Sequence, residues 1–421
     1  MTEEITLPQG GIKNHGWRVT FAGMGINLAL GILYTWSVIS RGIPADWGWT
    51  QSDKSLPYAM ACLIFSLVMV PAGRMQDRIS PRFVATIGGI LVGAGMIIAS
   101  FTTSPFGYML GFGILTGAGI GFGYASATPP AVKWFSPART GLIAGLVVSG
   151  FGLASAYAAP LSEFLIKSVG VGSTVLILGI AFLVVLCGLA QILKPPPEGY
   201  VPAGVSIKKP TGPQRKEEYL PREMLKTWQF FSIWFMYACG AGAGLMIISV
   251  VKKIVAAEVG DAMAVAAVVG LAIGNGGGRV VAGVVSDKLG RKATLFIFFV
   301  FQAFLLFLLT RAHGDSVLAS APVLIILTAL IGANYGSNLA LFPSITKDYF
   351  GIKNFGVNYG LVFTAWGVGG FMLAKLAGML FDKYQSFNVA YFGAAALLVV
   401  AAVMVLFIKP PHHTIKETQL E

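Results

Sequence analysis

The sequence predicts an all-α integral membrane protein, with about twelve transmembrane helices in two pseudo-symmetric six-helix bundles. The first observation is the composition: 55% of the 421 residues are hydrophobic, only 11% are charged, and the mean hydropathy is +0.74. The second is that apolar stretches of about 20 residues, long enough to cross a bilayer, recur along the chain. The third is a repeat that relates the two halves. Together these features exclude a soluble globular protein.

Six apolar stretches lie in each half of the chain. Those of the first half are residues 17–40, 56–73, 83–101, 108–132, 141–164 and 171–193, and those of the second half are residues 228–251, 262–285, 294–309, 321–345, 355–381 and 389–408. Between the two sets, residues 194–226 hold seven of the 21 prolines and seven Lys or Arg, a composition typical of an exposed linker. We therefore expect a tail (1–16), a first bundle (17–193), this linker, a second bundle (227–408) and a C-terminal tail (409–421).

The distribution of positive charge predicts the orientation. If the N-terminus is cytoplasmic, 21 of the 30 Lys and Arg residues fall on the cytoplasmic side and seven on the opposite side. This bias predicts cytoplasmic termini, and the net charge of +12 then reflects topology, so we expect no nucleic-acid partner. The first sixteen residues carry Glu3, Glu4 and Lys13 and lack the pattern of a cleavable signal peptide. We expect a multi-pass protein of the plasma (inner) membrane.

The two halves repeat one another. Trp17 recurs as Trp228, an offset of 211 residues, and Gly73 recurs as Gly283, an offset of 210. Because each half has an even number of spans, the two copies lie on the same side of the membrane. Duplicated bundles of this kind bind their ligand near the bilayer midplane, between the copies, and alternate access to it.

One charge, Arg279, lies inside the apolar stretch 262–285. A charged side chain at that depth is costly and by default marks a substrate or ion pathway. Asn275 lies four residues earlier, on the same helix face, so a guanidinium fork and a neutral amide point the same way. This pair fits a carboxylate, whose two oxygens match the paired donors of Arg. The structural alternative is an Arg bonded to backbone carbonyls of a neighbouring helix.

The glycines next to Arg279, Gly276 to Gly278, lack the preceding strand of a phosphate-binding motif, so we interpret them as room for helix packing or access to the Arg. Helical spacing also places polar and aromatic residues on shared faces. These residues are Asn27, Leu28, Gly31 and Tyr34 in the first span, Gly117, Gly121 and Tyr124 in the fourth, and Asn334, Tyr335 and Asn338 in the tenth. Leu28 and Leu146 are our candidates for limiting substrate size.

Two copies of one loop motif follow the second and eighth spans: GRMQDRISPR at 73–82 and GVVSDKLGRK at 283–292. In position, pattern and duplication they resemble the signature of the major facilitator superfamily, although Ser80 and Pro81 depart from its usual form. The resemblance implies that these loops latch the cytoplasmic side. The residues with that gating role would be Asp77, Arg78, Arg82, Asp287, Lys288 and Arg291. Some of these charges also serve as positive-inside anchors.

Further motifs resemble the branch of that superfamily that contains oxalate:formate antiporters and monocarboxylate carriers. They are LYTWSV at 33–38, FGYASA at 122–127 with KWF at 133–135, GGGR at 276–279, ALFPS at 340–344 and NYG at 358–360. The resemblance implies a pocket lined by the aromatic residues Tyr34, Tyr124, Tyr335, Phe363 and Trp366, each of which could instead be an ordinary packing aromatic. Antiporter members carry a Lys where this chain has Trp366. Animal carriers carry an Asp and a Lys where this chain has Asn275 and Val38, so their proton relay is not carried over.

We expect no enzyme, cofactor or metal. The spans lack a nucleophile with a base, paired carboxylates and an HExxH motif. The three cysteines, Cys62, Cys187 and Cys239, have no metal-ligand spacing, and none of the four histidines, His15, His313, His412 and His413, falls at membrane depth. A channel or receptor stays possible by residue type, but the duplicated motif and the central Arg favour a carrier.

The resulting prediction is a secondary active transporter of small monocarboxylates such as lactate or pyruvate, working by alternating access and as a monomer. We hypothesise proton symport, because an anion that enters with one proton carries no net charge. The substrate itself, Glu163 or Asp382 could carry the proton, and Lys375 is expected to snorkel to the membrane surface. Carboxylate exchange is the alternative.

Overall fold

The structure is a computed structural model that describes residues 14–135, 140–197, 200, 218–351 and 354–411, except for the side chains of residues 77, 140, 141 and 287. Residues 1–13, residues 201–217 of the predicted linker and residues 412–421, with His412 and His413, lie outside this description. Within the described residues every regular element is a helix.

The helices of the first half form spans 1 to 6. They are Gly16–Arg41, Gln51–Arg78, Pro81–Ser100 and Pro105–Val132 for spans 1 to 4, and the segment Thr140–Ala190 for spans 5 and 6. Span 1 contains a 3₁₀ stretch at Gly31–Thr35, and span 4 contains a π-helical stretch at Met109–Thr116.

The helices of the second half form spans 7 to 12. They are Trp228–Val259, Asp261–Leu289, Arg291–Leu309, Ala321–Phe350, Phe355–Tyr384 and Asn388–Phe407. In the described parts of the chain, three short helices lie between spans: Ala45–Trp47, Pro221–Met224 and Val317–Ala319.

Eleven helices of the described chain are long and apolar enough to cross a bilayer, and one of them, Leu142–Ala190, carries two spans. Gly170 divides it, because its backbone at φ 78° and ψ 171° is not helical and lies in a region that only glycine adopts readily. The predicted all-α fold with about twelve spans is therefore confirmed.

Span 7 is longer than its apolar stretch. The helix continues to Val259, so Lys252 and Lys253, which directly follow the apolar stretch 228–251, are helical. Two contacts with the first half make this possible: Lys252 pairs with Glu163 of span 5, and the Lys253 ammonium donates to Gln51 Oε1 at 2.7 Å. The helix ends at Gly260, whose φ of 83° breaks the helical backbone before span 8 begins.

Spans 8 and 10 pack with their backbones in contact. A Cβ atom added to Gly274 or Gly278 of span 8 would overlap the carbonyl oxygen of Ala329 or Ala333 in span 10. The reverse holds for Gly336, where an added Cβ would overlap the Asn275 carbonyl. Small residues at such spacing allow close helix packing in membranes, which is one of the roles we predicted for this glycine run.

The two ends of the bundle differ in how the halves meet. We call the end where span 7 begins the linker end, and the opposite one the far end. At the far end Arg41 lies 3.6 Å from Asp261, Glu163 pairs with Lys252, and the Asp382 carboxylate accepts hydrogen bonds from the backbone N–H groups of Gln51 and Ser52 at 2.8 and 2.7 Å. Each of these contacts joins the first half to the second.

At the linker end, three glycines have open space beside them. A Cβ added to Gly73 of span 2, Gly145 of span 5 or Gly283 of span 8 would meet no atom within 4 Å. The ion pairs and the helix cap described above therefore join the halves at the far end.

The packing of spans 8 and 10 generates a stability prediction. Gly278→Ala is expected to lower the thermal unfolding midpoint in detergent by about 5 °C or more, because overpacking against a backbone atom typically costs about 1–3 kcal/mol. Gly277→Ala is the matched control, since no atom lies within 4 Å of its added Cβ. Fluorescence-detected size exclusion after heating measures both variants. Equal midpoints for the two would contradict the packing described here.

Candidate functional site

Arg279 lies in span 8 and connects the two halves through its guanidinium. Its Nη1 donates to the main-chain oxygen of Val148 in span 5 at 3.0 Å. Its Nε and Nη2 both donate to Oδ1 of Asn275, at 3.3 and 3.2 Å, one helical turn earlier. A Cβ at Gly152 of span 5 would lie 3.3 Å from Nη2, so the glycine leaves the space that the guanidinium occupies.

Asn275 is fully buried, and one of its two side-chain polar atoms lacks a hydrogen-bond partner in the described residues. Its Oδ1 orients Arg279, whereas its Nδ2 has no hydrogen-bond partner in the described part of the protein. A buried donor without a partner typically costs about 1–3 kcal/mol. Such a cost is characteristic of functional positions, where the group pairs with a ligand.

A cage of aromatic side chains surrounds the guanidinium. It is lined by Tyr34, Phe65, Tyr124 and Phe151 from the first half and by Leu339, Phe363 and Trp366 from the second, with Arg279. Ring centroids lie 4.9 Å apart for Tyr34 and Phe151, and 5.0 Å apart for Phe65 and Trp366. In this conformation the side chains pack against one another and leave essentially no free volume between them. Arg279 is the one charged residue in this lining.

Two hydroxyls close the cage towards the far end. Tyr34 of span 1 and Tyr335 of span 10 share a hydrogen bond between their hydroxyls, which crosses from one half to the other. The Trp366 indole N–H donates to the same Tyr335 oxygen at 2.8 Å. Tyr34 lies seven residues before Arg41, where span 1 reaches the far end, whereas Arg279 lies 18 residues after Asp261, where span 8 starts at the same end. The Tyr34–Tyr335 hydrogen bond therefore lies closer to the far end than Arg279 does.

The local backbone of span 1 positions Tyr34. Residues Gly31–Thr35 form a 3₁₀ stretch, and a Cβ at Gly31 would overlap Ala154 of span 5. The close approach of the two helices at Gly31 brings Tyr34 against Phe151. A 3₁₀ stretch inside a long helix often marks a functional hinge.

Comparison with known proteins identifies the fold family. The sequence matches the profile of the Major Facilitator Superfamily over residues 19–271 and 233–421. This chain belongs to that superfamily. In the solved structures, this transporter resembles a bacterial homologue of the human lysosomal transporter Spinster in an inward-facing, unoccupied conformation, with a TM-score of 0.63 and 16% identity over 94% of this chain and 96% of the other.

Curated relatives of this superfamily member include carboxylate transporters. It is 28% identical to an uncharacterised MFS-type transporter, YhjX, of Escherichia coli over 84% of this chain and 85% of that protein. It is 25% identical to the oxalate:formate antiporter of Oxalobacter formigenes over 95% and 93% of the two chains, and 24% identical to human monocarboxylate transporter 11 over 93% and 82%. The predicted resemblance to this branch of the superfamily is confirmed.

Three residues that line the cage of this transporter were not among the sequence candidates: Phe65, Phe151 and Leu339. Leu339 directly follows Asn338, which we had selected. Phe151 lies three residues after Val148, the acceptor for Arg279, on a span for which only Leu146 was considered. The same helical spacing applied to spans 2 and 5 is the signal that could have found the two phenylalanines.

Five of the ten sequence candidates for substrate binding lie outside the cage lining of this transporter. Asn275 and Tyr335 bond to lining residues, Arg279 and Tyr34, whereas Asn338, Leu28 and Leu146 do not. The amide of Asn338 donates to the carbonyls of Asn334 and Tyr335 in its own helix, at 3.0 and 3.3 Å, and a Cβ on Gly240 of span 7 would meet its side chain. Leu28 offers its main-chain oxygen to Tyr157 at 2.9 Å. Leu146 is half-buried one turn before Gly150.

The predicted gating residues lie at the linker end. Arg291 pairs with Asp348 at 3.2 Å and donates to Ser286, both in the second half. Arg78 and Lys288 are exposed, and Arg82 is half-buried. The side chains of Asp77 and Asp287 lie outside the described part of the structure, so the latching role of the two loops stays a prediction.

Two other predicted positions have definite surroundings. The Lys375 ammonium lies 5.6 Å from the Phe371 ring on the outer turns of span 11. Within the described residues no group of three or more His, Cys, Asp or Glu side chains is close enough to hold a metal ion.

The surroundings of Arg279 generate a prediction that separates a functional from a structural role. Arg279→Met is expected to unfold at the same temperature as the wild type or a few degrees higher, because a charge in the bilayer interior is costly and functional sites trade stability for activity. Lys375→Met is the matched control and should leave the midpoint unchanged. A clear drop for Arg279→Met alone would make the guanidinium a structural link between spans 5 and 8.

Proposed function

We propose that this transporter moves small monocarboxylates of the lactate and pyruvate type, with Arg279 as the carboxylate-binding residue. The observation that carries the proposal is the position of the Arg279 guanidinium. It lies where the two halves meet, beside the Asn275 amide nitrogen that lacks a hydrogen-bond partner, and inside the aromatic cage. A carboxylate takes two hydrogen bonds from an Arg fork, and the Asn275 amide supplies a third donor.

The charge and the lining of the cage support a small acid with one carboxylate. One cation in the lining neutralises one carboxylate, and the apolar walls suit a short carbon chain. At the place where oxalate:formate antiporters carry a second cation, this chain has Trp366, which lines the same cage.

The same geometry suggests how binding is coupled to movement. Arg279 bridges the halves through the Val148 carbonyl, and Tyr34 bridges them through Tyr335. A bound carboxylate would replace Val148 as an acceptor for the guanidinium and would separate the rings of the cage. In our proposal the substrate therefore loosens one contact between the halves, which lowers the barrier to alternating access.

Proton symport is the coupling we propose. Glu163 and Asp382 both lie at far-end contacts between the halves: Glu163 pairs with Lys252 and with Lys167 at 3.0 Å, and Asp382 caps the start of span 2. Protonation of either carboxylate would weaken a contact that holds the far end closed. With the predicted orientation, in which the linker end is cytoplasmic and the far end faces outward, an external proton would favour the outward-open state.

Carboxylate exchange is the second candidate mechanism. The observation in its favour is the 25% identity, over 95% of this chain, to a protein that is an oxalate:formate antiporter. Exchange needs no proton site, because the returning anion balances the charge. The two mechanisms share Arg279 as the anchor and differ in what must occupy the site during the return step.

The role of Arg279 generates the first functional prediction. Arg279→Lys is expected to reduce uptake of labelled L-lactate into proteoliposomes by about tenfold or more, because the point charge of an ammonium loses the bidentate geometry and with it about 1.5–3 kcal/mol. Arg311→Lys, an exposed residue at the far end of span 9, is the control for the chemical change itself. Wild-type uptake by Arg279→Lys would rule out a carboxylate anchor at this position.

The coupling mechanism generates the second functional prediction. An inward proton gradient alone is expected to drive accumulation of labelled L-lactate in vesicles that contain no internal acid. A protonophore should abolish this accumulation. If uptake instead requires vesicles preloaded with unlabelled acid, and ignores the gradient, the protein is an exchanger. Formate, oxalate and pyruvate, tested in the same format, decide the substrate.

A further inference from the structure

A second cavity, which we call the far-end cavity, lies between the halves at the far end of the bundle. Its volume is about 80 Å³, and residues from both halves line it, among them Ser40, Arg41, Gln51, Lys54, Ser249 and Lys253. Three of these are cations, contributed by spans 1, 2 and 7, and none of the residues that line the cavity is a carboxylate. The predicted function of Arg279 leaves this cluster without a role.

The acidic residues near the far-end cavity neutralise its cations only in part. Asp261 lies 3.6 Å from Arg41, but both side chains are about half exposed, and such surface pairs contribute little. The Asp382 carboxylate is engaged by two backbone N–H groups of span 2. The Lys253 ammonium donates to the Gln51 side chain at 2.7 Å and lies 3.4 Å from the centre of the Phe381 ring, and Asp382 acts on it electrostatically.

Helical spacing connects this cavity to the aromatic cage. In span 1, Arg41 lies four residues after Ser37 and seven after Tyr34, so all three share one face. In span 2, Lys54 precedes Phe65 by 11 residues, or three helical turns. Ser37 lies between the two cavities, is 1% exposed, and its hydroxyl has no hydrogen-bond partner among the described residues.

We propose that the far-end cavity is an accessory binding site for small carboxylate anions, in which Arg41, Lys54 and Lys253 collect the substrate before it reaches Arg279. The choice of ligand rests on the proposed function. Cations that line a cleft with low-dielectric walls focus the field and raise the local concentration and the on-rate of an anion. In this proposal the buried hydroxyl of Ser37 can hydrogen-bond the anion on the face of span 1 that connects Arg41 to Tyr34.

The first test compares entry kinetics of variants in phosphatidylcholine vesicles, whose lipid carries no net charge and cannot occupy the cavity as an anion. The Lys54 ammonium makes no hydrogen bond or ion pair within the described chain, so Lys54→Gln should fold normally; Lys54→Gln/Lys253→Gln removes two charges. At low ionic strength the KM for L-lactate entering from the far end should rise about fivefold or more in the double variant, with an intermediate rise in the single one.

In Lys54→Gln the maximal rate should stay within about twofold of the wild type, because this ammonium makes no contact between the halves and the bound state at Arg279 is unchanged. High salt should remove most of the KM difference by screening. Arg311→Gln, which removes an exposed far-end cation outside the cavity, is the matched control. A KM that does not change in either lysine variant, or that changes equally in Arg311→Gln, would overturn the accessory site.

The second test does not depend on transport. Reductive methylation of the purified full-length protein, in equal concentrations of sodium lactate or sodium chloride, reports how accessible each lysine is. Lactate should slow the labelling of Lys54 and Lys253 but not of the exposed Lys383, as quantified by mass spectrometry. Equal labelling in the two salts would refute the site. A protein that transports no carboxylate but shows this protection would refute the proposed function and keep the anion site.

Discussion

The architecture depends on a charge held where the two halves of the protein meet. Arg279 donates to a backbone oxygen of the other half, and its remaining nitrogens are oriented by Asn275 of its own helix. No carboxylate lines the cage around it, so its charge is balanced only by dipoles. A cation balanced only by dipoles is costly in a bilayer. The protein surrounds this one closely, with Gly152 opposite Nη2 and with the aromatic side chains of the cage.

The contacts between the two halves are distributed unequally along the bundle. Ion pairs and a helix cap join the halves at the far end. The Tyr34–Tyr335 hydrogen bond adds another contact between the halves, on the far-end side of Arg279. Beside Gly145 and Gly283 at the linker end there is open space. A rocking transporter needs such unequal ends, because it can exchange substrate with one side only if the contacts on the other side hold.

The sequence predicted the fold and singled out Arg279 because both depend on contrast with the bilayer. Apolar runs are visible by composition, and Arg279 stands out within one of them. The cage was predicted less completely, since Phe65 and Phe151 are apolar residues in apolar helices and only the rotation of each helix turns them inward. A shift of one residue, from Asn338 to Leu339, is a turn of about 100° around the helix. The helical continuation of span 7 beyond residue 251 was not predicted, because the partner of Lys252, Glu163, comes from another span.

The glycine contacts between spans 8 and 10 have a mechanical consequence. Where backbones touch, two helices cannot slide or rotate past each other without steric overlap, so these spans move as one rigid body. Arg279 on span 8 and Tyr335 on span 10 are then fixed to the same body, at a constant separation. A movement of the span 8 backbone is therefore shared by span 10, and in the proposed transport cycle it would carry Tyr335 along with Arg279.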